Sequence, residues 1–282
     1  MRNYNARIKI NELNPKQPEF VLATSAYSKK CLMNYNISHF YTFTAEADKM
    51  GVIPDACIDI LFWKKDDKMK AKIAGTFLQK GETATDLKCE YFGVRFLPGI
   101  NPVNDIMKLS ELVNHEEDFE DIITHYDNKE RLMETMYFAS SFEEKIQAFM
   151  NYYVQQNDNL IEDEDSLKRE LRNVILTSSG DLKLADLSAY TGYSERYLNQ
   201  KIHEEFGMNP KNLIRLIRFQ KSVSNLINSI HSINCTDTAL DAGYYDQSHF
   251  IKEFMKLSGL PPTGYIRNLL DNGYDKKLHV IA

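Results

Sequence analysis

The chain has 282 residues, 43% hydrophobic and 26% charged, with 34 Lys and Arg against 40 Asp and Glu and a net charge of −6 at pH 7. With 12 Gly and 8 Pro this is ordinary globular composition, which excludes collagenous, mucin-like and wholly disordered chains. The length suits two modest domains or one large one. No apolar run approaches the about 18 residues that cross a bilayer, and the Met-Arg-Asn-Tyr start lacks the apolar stretch of a secretory signal, so the chain reads as cytoplasmic with no membrane partner.

Cys31, Cys57, Cys89 and Cys235 stand far apart without C-x-x-C spacing, so neither a zinc clip nor a disulfide framework is expected. Residues before Asp181 hold 22 basic and 29 acidic groups, and those from Asp181 onward hold 12 and 11. The excess negative charge therefore lies upstream. By itself this asymmetry says little about nucleic acid, because binding footprints are local patches.

Residues 1–100 are strand-rich. Ile37–Thr44, Ile58–Trp63, Met69–Leu78 and Lys88–Leu97 are short aromatic and β-branched runs between Gly, Pro, Asp and Lys clusters, as in an antiparallel sandwich or small barrel. Ile53-Pro54-Asp55-Ala56 reads as a turn into the buried strand Cys57–Phe62, and Pro98-Gly99 ends the last strand. From about Asn104 the period changes to near 3.6 and strand signals do not return. Phe142, Ile146, Phe149, Met150 and Tyr153 fall on one helical face, introduced by a capping box of Ser141 and Glu144. That stripe packs on its own domain or forms a homodimer seam, the first being favoured. Gln155–Asp165 is polar and acidic, a linker composition.

The next hundred residues contain a repeat. Gly192 and Tyr193 recur as Gly243 and Tyr244 at an offset of 51, while Leu198, Gly207 and Pro210 recur as Phe250, Gly259 and Pro262 at 52. Each unit reads as a helix, a Gly-Tyr turn, a second helix and a Gly-x-x-Pro stop, which is a helix-turn-helix pattern. In the first unit Leu184, Leu187 and Ser188 face inward, Ser194 caps the second helix, and Leu198 and Ile202 face back. In the second, Ala239 takes the small inward position, Asp246 the cap, and Phe250 and Phe254 the inward face. Pro210 opens a long spacer helix to about Ser229, with Leu213, Ile217, Leu226 and Ile227 toward the core. Two recognition helices on such a spacer would enter major-groove segments about 34 Å apart on one face of a duplex.

Residues from about Ser166 to Leu270 resemble the DNA-binding domain of AraC/XylS-type transcriptional regulators. The segments LADLSAYTGYSERYLNQKIHEEFGMNPKNLIRLIRFQKS and DTALDAGYYDQSHFIKEFMKLSGLPPTGYIRN match its two units in order, spacing and linking helix. Residues 1–150 resemble the β-rich N-terminal domain of some of these regulators through PDACIDILFW and GVRFLPG, which implies a degenerate cupin-like sensory or dimerisation module. Ser188 stands where the family usually has Ala, and Tyr245 where many members have Ser.

Only the N-terminal turns of a recognition helix reach base edges. The first helix offers Arg196 for guanine, Asn199 or Gln200 for adenine, and His203; the second offers Gln247, Ser248, Ile251 for a thymine methyl and Lys252. Lys211, Arg215, Arg218 and Lys221 lie along the spacer helix with no acid between them. Lys211 and Arg215 are assigned to the phosphate backbone, while Arg218 resembles a family position that serves packing. Glu195, Glu204, Glu205 and Glu253 oppose nonspecific attraction to phosphate.

Seven histidines form no H-x-H or H-E-x-x-H arrangement, and no Walker loop, dinucleotide fingerprint or G-x-S-x-G elbow occurs, so no metal, cofactor or catalytic residue is expected. The run Glu116, Glu117, Asp118, Glu120 and Asp121 reads as a solvated face. Phe40, Tyr41, Phe43, Phe62, Trp63, Phe77, Tyr91 and Phe96 either line an effector cavity or simply fill a β-domain, the second being favoured.

These readings predict an α+β protein that is not an enzyme. Residues 1–103 form a β-rich effector or dimerisation domain, 104–160 a helical connector, and 161–282 a double helix-turn-helix domain. The partners are double-stranded DNA, a small-molecule effector of unknown site, a second copy of the chain and RNA polymerase. The alternatives are a ligand-independent regulator under a protein partner and a DNA-repair or DNA-modifying enzyme with a fused helix-turn-helix; for the latter, Cys31, Cys57 and Cys89 lack an activating neighbour in sequence.

Overall fold

The computed structural model describes residues 15–32, 35–103, 106–123, 128–157, 166–178, 180–228, 244 and 246–281. A short helix α1 (Pro18–Leu22) precedes β1 (Tyr27–Cys31), β2 (Ile37–Thr44), β3 (Lys49–Val52), β4 (Asp59–Lys65), β5 (Lys68–Ala74), β6 (Gly81–Ala84) and β7 (Glu90–Phe96). Next come α2 (Leu109–Leu112), β8 (Glu116–Asp118), α3 (Phe119–Ile122), α4 (Lys129–Phe138) and α5 (Phe142–Asn157). The helical C-terminal region holds α6 (Ser166–Thr177), α7 (Leu184–Thr191), α8 (Glu195–Phe206), α9 (Pro210–Asn228), α10 (Gln247–Ser258), α11 (Pro262–Asp271) and α12 (Tyr274–Lys277), and ends in β9 (Leu278–Ile281). The fold class is α+β, as the sequence predicts.

The main sheet runs β8-β5-β4-β7-β2-β1-β9, with β3 and β6 paired separately. Its neighbours are antiparallel except β1 and β9, which are parallel. Alternation along the strands gives the sheet two buried faces. Phe40, Ile60, Phe62, Phe92, Val94 and Phe96 share one core with the helical connector, where Phe149 of α5 meets Phe40, Phe62 and Phe96 at ring-centroid distances of 6.1, 6.1 and 6.3 Å. The α5 stripe therefore packs on its own domain, and Ser141 with Glu144 forms the expected capping box at 3.2 and 3.3 Å. The other face carries Tyr27, Tyr41, Phe43, Leu61 and Tyr91, in one continuous apolar cluster with the C-terminal helices.

Two sequence expectations are corrected. Strands do return after Asn104. Glu116–Asp118 is an edge strand on β5, because edge pairing needs backbone rather than an apolar face; Glu117 and Asp118 are exposed, as expected of the acidic run, while Lys72 Nζ meets Glu116 Oε2 at 2.9 Å. Leu278–Ile281, four residues at the chain end, docks on β1 from Tyr27↔Leu278 to Lys30↔Ile281. The strand read as Met69–Leu78 stops at Ala74, because Gly75 and Thr76 turn away; Thr76 Oγ1 accepts from Ala56 N at 2.9 Å. The small second unit around Ala239, Gly243 and Tyr245, much of the acidic linker, and His125, His231 and Cys235 lie outside the described residues.

A buried ionic network lies on the second face. Arg95, 1% exposed, donates from Nε and Nη2 to Asp59 at 2.9 and 2.7 Å, and its Nη1 stands 3.2 Å from Asp55 Oδ2. Tyr41 OH donates to Asp59 Oδ1 at 3.0 Å, while Asp55 accepts from Gln17 Nε2 and Cys57 N, each at 2.9 Å. Burial pushes the Asp59 carboxyl up and the Arg95 guanidinium opposes it. The space beside Phe20, Asp55 and Asp59 is only about 20 Å³, room for one water, so the aromatic side chains here fill a core.

The β-rich and helical regions meet at several points. Gln220 of α9, 2% exposed, donates to Pro54 O at 2.8 Å and Lys16 O at 3.2 Å, and accepts from Lys16 N at 2.9 Å. Tyr265 of α11 donates to Glu19 Oε2 at 2.8 Å, and Lys277 Nζ to Leu22 O at 3.0 Å. Gly207, the C-cap of α8 at φ 70°, lies against α2 so closely that a methyl there would come within 2.6 Å of the Leu109 carbonyl carbon. Lys80 lies against Gly259, the C-cap of α10.

Glu19 tests this docking. Burial raises its carboxyl pKa above the ordinary value, so the protonated form is favoured when docked. Its contribution is full below the unfolded carboxylate pKa and is lost as pH rises through the raised one. Glu19→Gln keeps an acceptor for Tyr265 without the charge. Its Tm advantage over the parent chain should grow from pH 4 to pH 8 in thermal melts; a difference independent of pH would contradict the assignment.

Candidate nucleic-acid interface

The first helix-turn-helix unit is α7 and α8. Gly192 closes α7 in the left-handed region at φ 77°, with nothing near the site of a Cβ, so the backbone angle and not space requires glycine. Ser188 Oγ donates across the turn to Tyr193 O at 2.6 Å, which gives the hydroxyl at this usually Ala position a local partner. Ser194 caps α8 by accepting from Tyr197 N at 3.3 Å. Leu198, Ile202 and Phe206 are buried, which turns Arg196, Asn199, Gln200 and His203 outward, all exposed. Gln200 Nε2 also donates to Glu204 Oε1 at 2.9 Å.

The second recognition helix, α10, repeats this arrangement. Asp246 accepts from His249 N at 2.7 Å, and Phe250, Phe254 and Leu257 are buried. Gln247, Ser248 and Lys252 are exposed and Ile251 is half-buried. His249 is exposed beside the Tyr244 ring, with Nε2 3.7 Å from Glu253 Oε2.

The spacer-helix cations divide into distinct roles. Lys211 is exposed, whereas Arg215 is half-buried with Nη2 shut from solvent and without a hydrogen-bond partner. Arg218 is structural: its Nη2 and Nε donate to Gly180 O at 2.7 and 3.1 Å and its guanidinium lies 5.3 Å from the Tyr244 ring centroid. Among the flanking acids, Glu205 is held by Lys168 at 2.6 Å and Lys201 at 3.3 Å, so its charge is met locally.

Sequence reasoning missed two features of this surface. Tyr193 and Tyr197 stack at 4.9 Å while remaining 44% and 42% exposed at the start of α8. Met255 is 52% exposed on α10, and the repeat offset of 52 pairs it with His203; that offset was the available signal. Among the described residues no group of His, Cys, Asp and Glu is arranged to hold a metal ion, and no helix is long and apolar enough to cross a membrane.

The described residues show one complete helix-turn-helix unit, α7 and α8, and a second recognition helix, α10. Residues 187–268 match the family model described as a helix-turn-helix domain. Among solved structures, the C-terminal domain of AraT, a response regulator from Geobacillus stearothermophilus, is similar at 28% identity, covering 36% of this chain and 85% of that one with a TM-score of 0.34. An apo form of ToxT from Vibrio cholerae is 12% identical, covering 84% and 98% with a TM-score of 0.45; a ToxT structure with bound unsaturated fatty acid is 15% identical, covering 86% and 93% with a TM-score of 0.39. A search of curated proteins found no match. The C-terminal region carries an AraC-type helix-turn-helix domain, which supports a role in binding DNA and regulating transcription.

The two cation roles separate experimentally. Arg218→Ala should lower stability by about 1–3 kcal/mol, because Gly180 O loses a charged donor, whereas Lys211→Ala should leave the denaturation midpoint unchanged. Equal losses in chemical denaturation would contradict this division.

Proposed function

We propose that the chain is a sequence-specific regulator that lays α8 and α10 into successive major-groove segments of one operator. Arg196, Asn199, Gln200, His203, Gln247, Ser248, Ile251 and Lys252 read bases, and Lys211 contacts phosphate; the partly enclosed Arg215 reaches the backbone by its exposed part. The observation that supports this reading is that both recognition helices expose their N-terminal turns while their C-caps rest against α2 of the connector and Lys80 of the β-rich part. The spacer helix and the docked caps together hold the two heads at a set distance.

Residues 1–103 act as the controlling domain, 104–160 as the connector and 161–282 as the DNA-binding domain, with β8 and β9 carrying the sheet beyond the first segment. Control acts through a small molecule or through pairing of two copies. The filled aromatic core favours an outer location for a ligand, and the open groove of about 540 Å³ between β1 and α5, where Leu32, Phe40, Ile146 and Met150 stand among Lys30, Glu143, Gln147 and Asn151, has the size and a mixed apolar and polar lining for one. Phe138, 72% exposed on α4, supports a seam between copies. A ligand or a second copy would shift the balance between DNA-competent and incompetent arrangements by binding one of them better. The protein works in the cytoplasm, recruits RNA polymerase and has no enzymatic activity.

Selection of bound fragments from a random DNA pool, with the full chain at fixed salt, tests the reading. A bipartite motif with halves about one helical turn apart is expected. Arg196→Ala should relax base preference in one half by about 1–3 kcal/mol, while Lys211→Ala should weaken all sequences alike. Failure of both the full chain and residues 160–282 to enrich any sequence would overturn it.

A further inference from the structure

The two recognition helices present different chemistry at matched positions. The offset of 52 pairs Arg196 with Ser248, Asn199 with Ile251, Gln200 with Lys252 and His203 with Met255. All four groups of α8 can donate or accept strong hydrogen bonds. In α10, Ile251 has no polar atom and Met255 only a weakly accepting sulfur.

Ile251 and Met255 are four residues apart, so they stand one above the other on a single helical face, with Lys252 beside them. The adjoining, inward face holds the buried Phe250, Phe254 and Leu257. Ile251 is half-buried against the domain's own core, whereas Met255 is 52% exposed. Together they form an apolar strip flanked by the exposed Lys252 and Lys256. Those two lysines, both on the solvent side of the strip, suit phosphate and argue against an acid-free apolar partner surface as the occupant.

The thymine C5 methyl is the apolar feature a base pair offers in the major groove; the remaining code is donors and acceptors. Side chains without strong hydrogen-bonding groups gain nothing from the latter and leave it unpaired. Methionine, unbranched and polarizable, adapts to a row of methyls better than a rigid side chain would.

We infer that α10 reads thymine methyls through Ile251 and Met255, so that one monomer recognises two unlike half-sites, one by polar pairing and one by apolar contact. This rests on the proposed DNA-reading role of both helices. Met255 is then a specificity determinant alongside the residues already assigned, and the operator half under α10 is rich in thymine.

The test uses the full chain and the duplex recovered from the random pool, resynthesised with deoxyuridine for thymidine in one half at a time. The half read by α8 is the one whose base preference relaxes in Arg196→Ala. Removing methyls from the other half should weaken binding about 3- to 5-fold per contacted methyl, and removing them from the α8 half should leave affinity unchanged. In Ile251→Ser/Met255→Gln the uracil effect should vanish, with the slope of log affinity against log salt unaltered, since no phosphate contact is lost. Met255→Gln alone, at an exposed position, should remove part of the effect and keeps the test valid if the double variant melts early. Equal tolerance of uracil in both halves, or a uracil effect that survives in the variants, would overturn the inference while leaving the two-headed reading intact. A pool with no enriched sequence would overturn the DNA-reading role itself, and the inference with it.

Discussion

A guanidinium shut away from water, Arg95, sets the arrangement of the β-rich region and of everything docked on it. Its charge is offset by Asp59 on the neighbouring strand and Asp55 in the loop before it. Removing one partner of such a buried group is strongly destabilising, about 3–5 kcal/mol, because the remaining charge is left uncompensated. The loop 53–57 therefore has one low-energy position. Gln17 fastens to the same loop at Ile53 and Asp55, and Gln220 of the spacer helix fastens to it at Pro54. A continuous set of polar contacts thus runs from the sheet interior to the helix that separates the two reading heads.

The remaining contacts act on the heads themselves. The C-cap of α8 abuts α2, the C-cap of α10 lies under Lys80, α11 bonds to Glu19, and β9 extends the sheet at β1. Each recognition helix is thus restrained at its C-terminal end and left exposed at its N-terminal end, the end that the proposed function places in a groove. Coupling between the sheet and DNA needs no long-range signal in this arrangement. Whatever changes the seating of loop 53–57 or of β9 alters the mutual position of the heads, and by reciprocity a bound operator favours one seating over others.

The amino-acid pattern reveals parts of this organisation unequally. Among the described residues the repeat was legible, because caps, left-handed glycines and inward apolar residues recur at a fixed spacing, and Ser194, Gly192, Asp246, Phe250 and Phe254 all take the positions that spacing implies. Strand β2 was legible over its whole length, since both its faces are buried and it carries four aromatic rings including His39. Strands β1, β3, β6, β8 and β9 were not. They are short, and β8 and β9 lie at the edges, β1 beside β9, and β3 and β6 in the small second sheet, so the sequence pattern marks them weakly. Asp55 reads in sequence only as a turn residue, and Asp59 and Arg95 only as letters within motifs, because an ion pair between a loop and two strands leaves no periodic trace. Met255 was passed over because methionine on a helix ordinarily reads as core, and exposure is a tertiary property.

The central claim is that one chain carries two DNA-reading heads whose separation is fixed by the β-rich region and the spacer helix. It is tested most directly by inserting base pairs between the halves of the selected operator and measuring affinity of the full chain. A rigid pair of heads predicts that an insertion of about five base pairs, half a helical turn, reduces binding to that of a single half-site, and that about ten, which restores the face but adds about 34 Å, does not recover it. Affinity that is indifferent to either insertion would contradict the claim and show two independent heads.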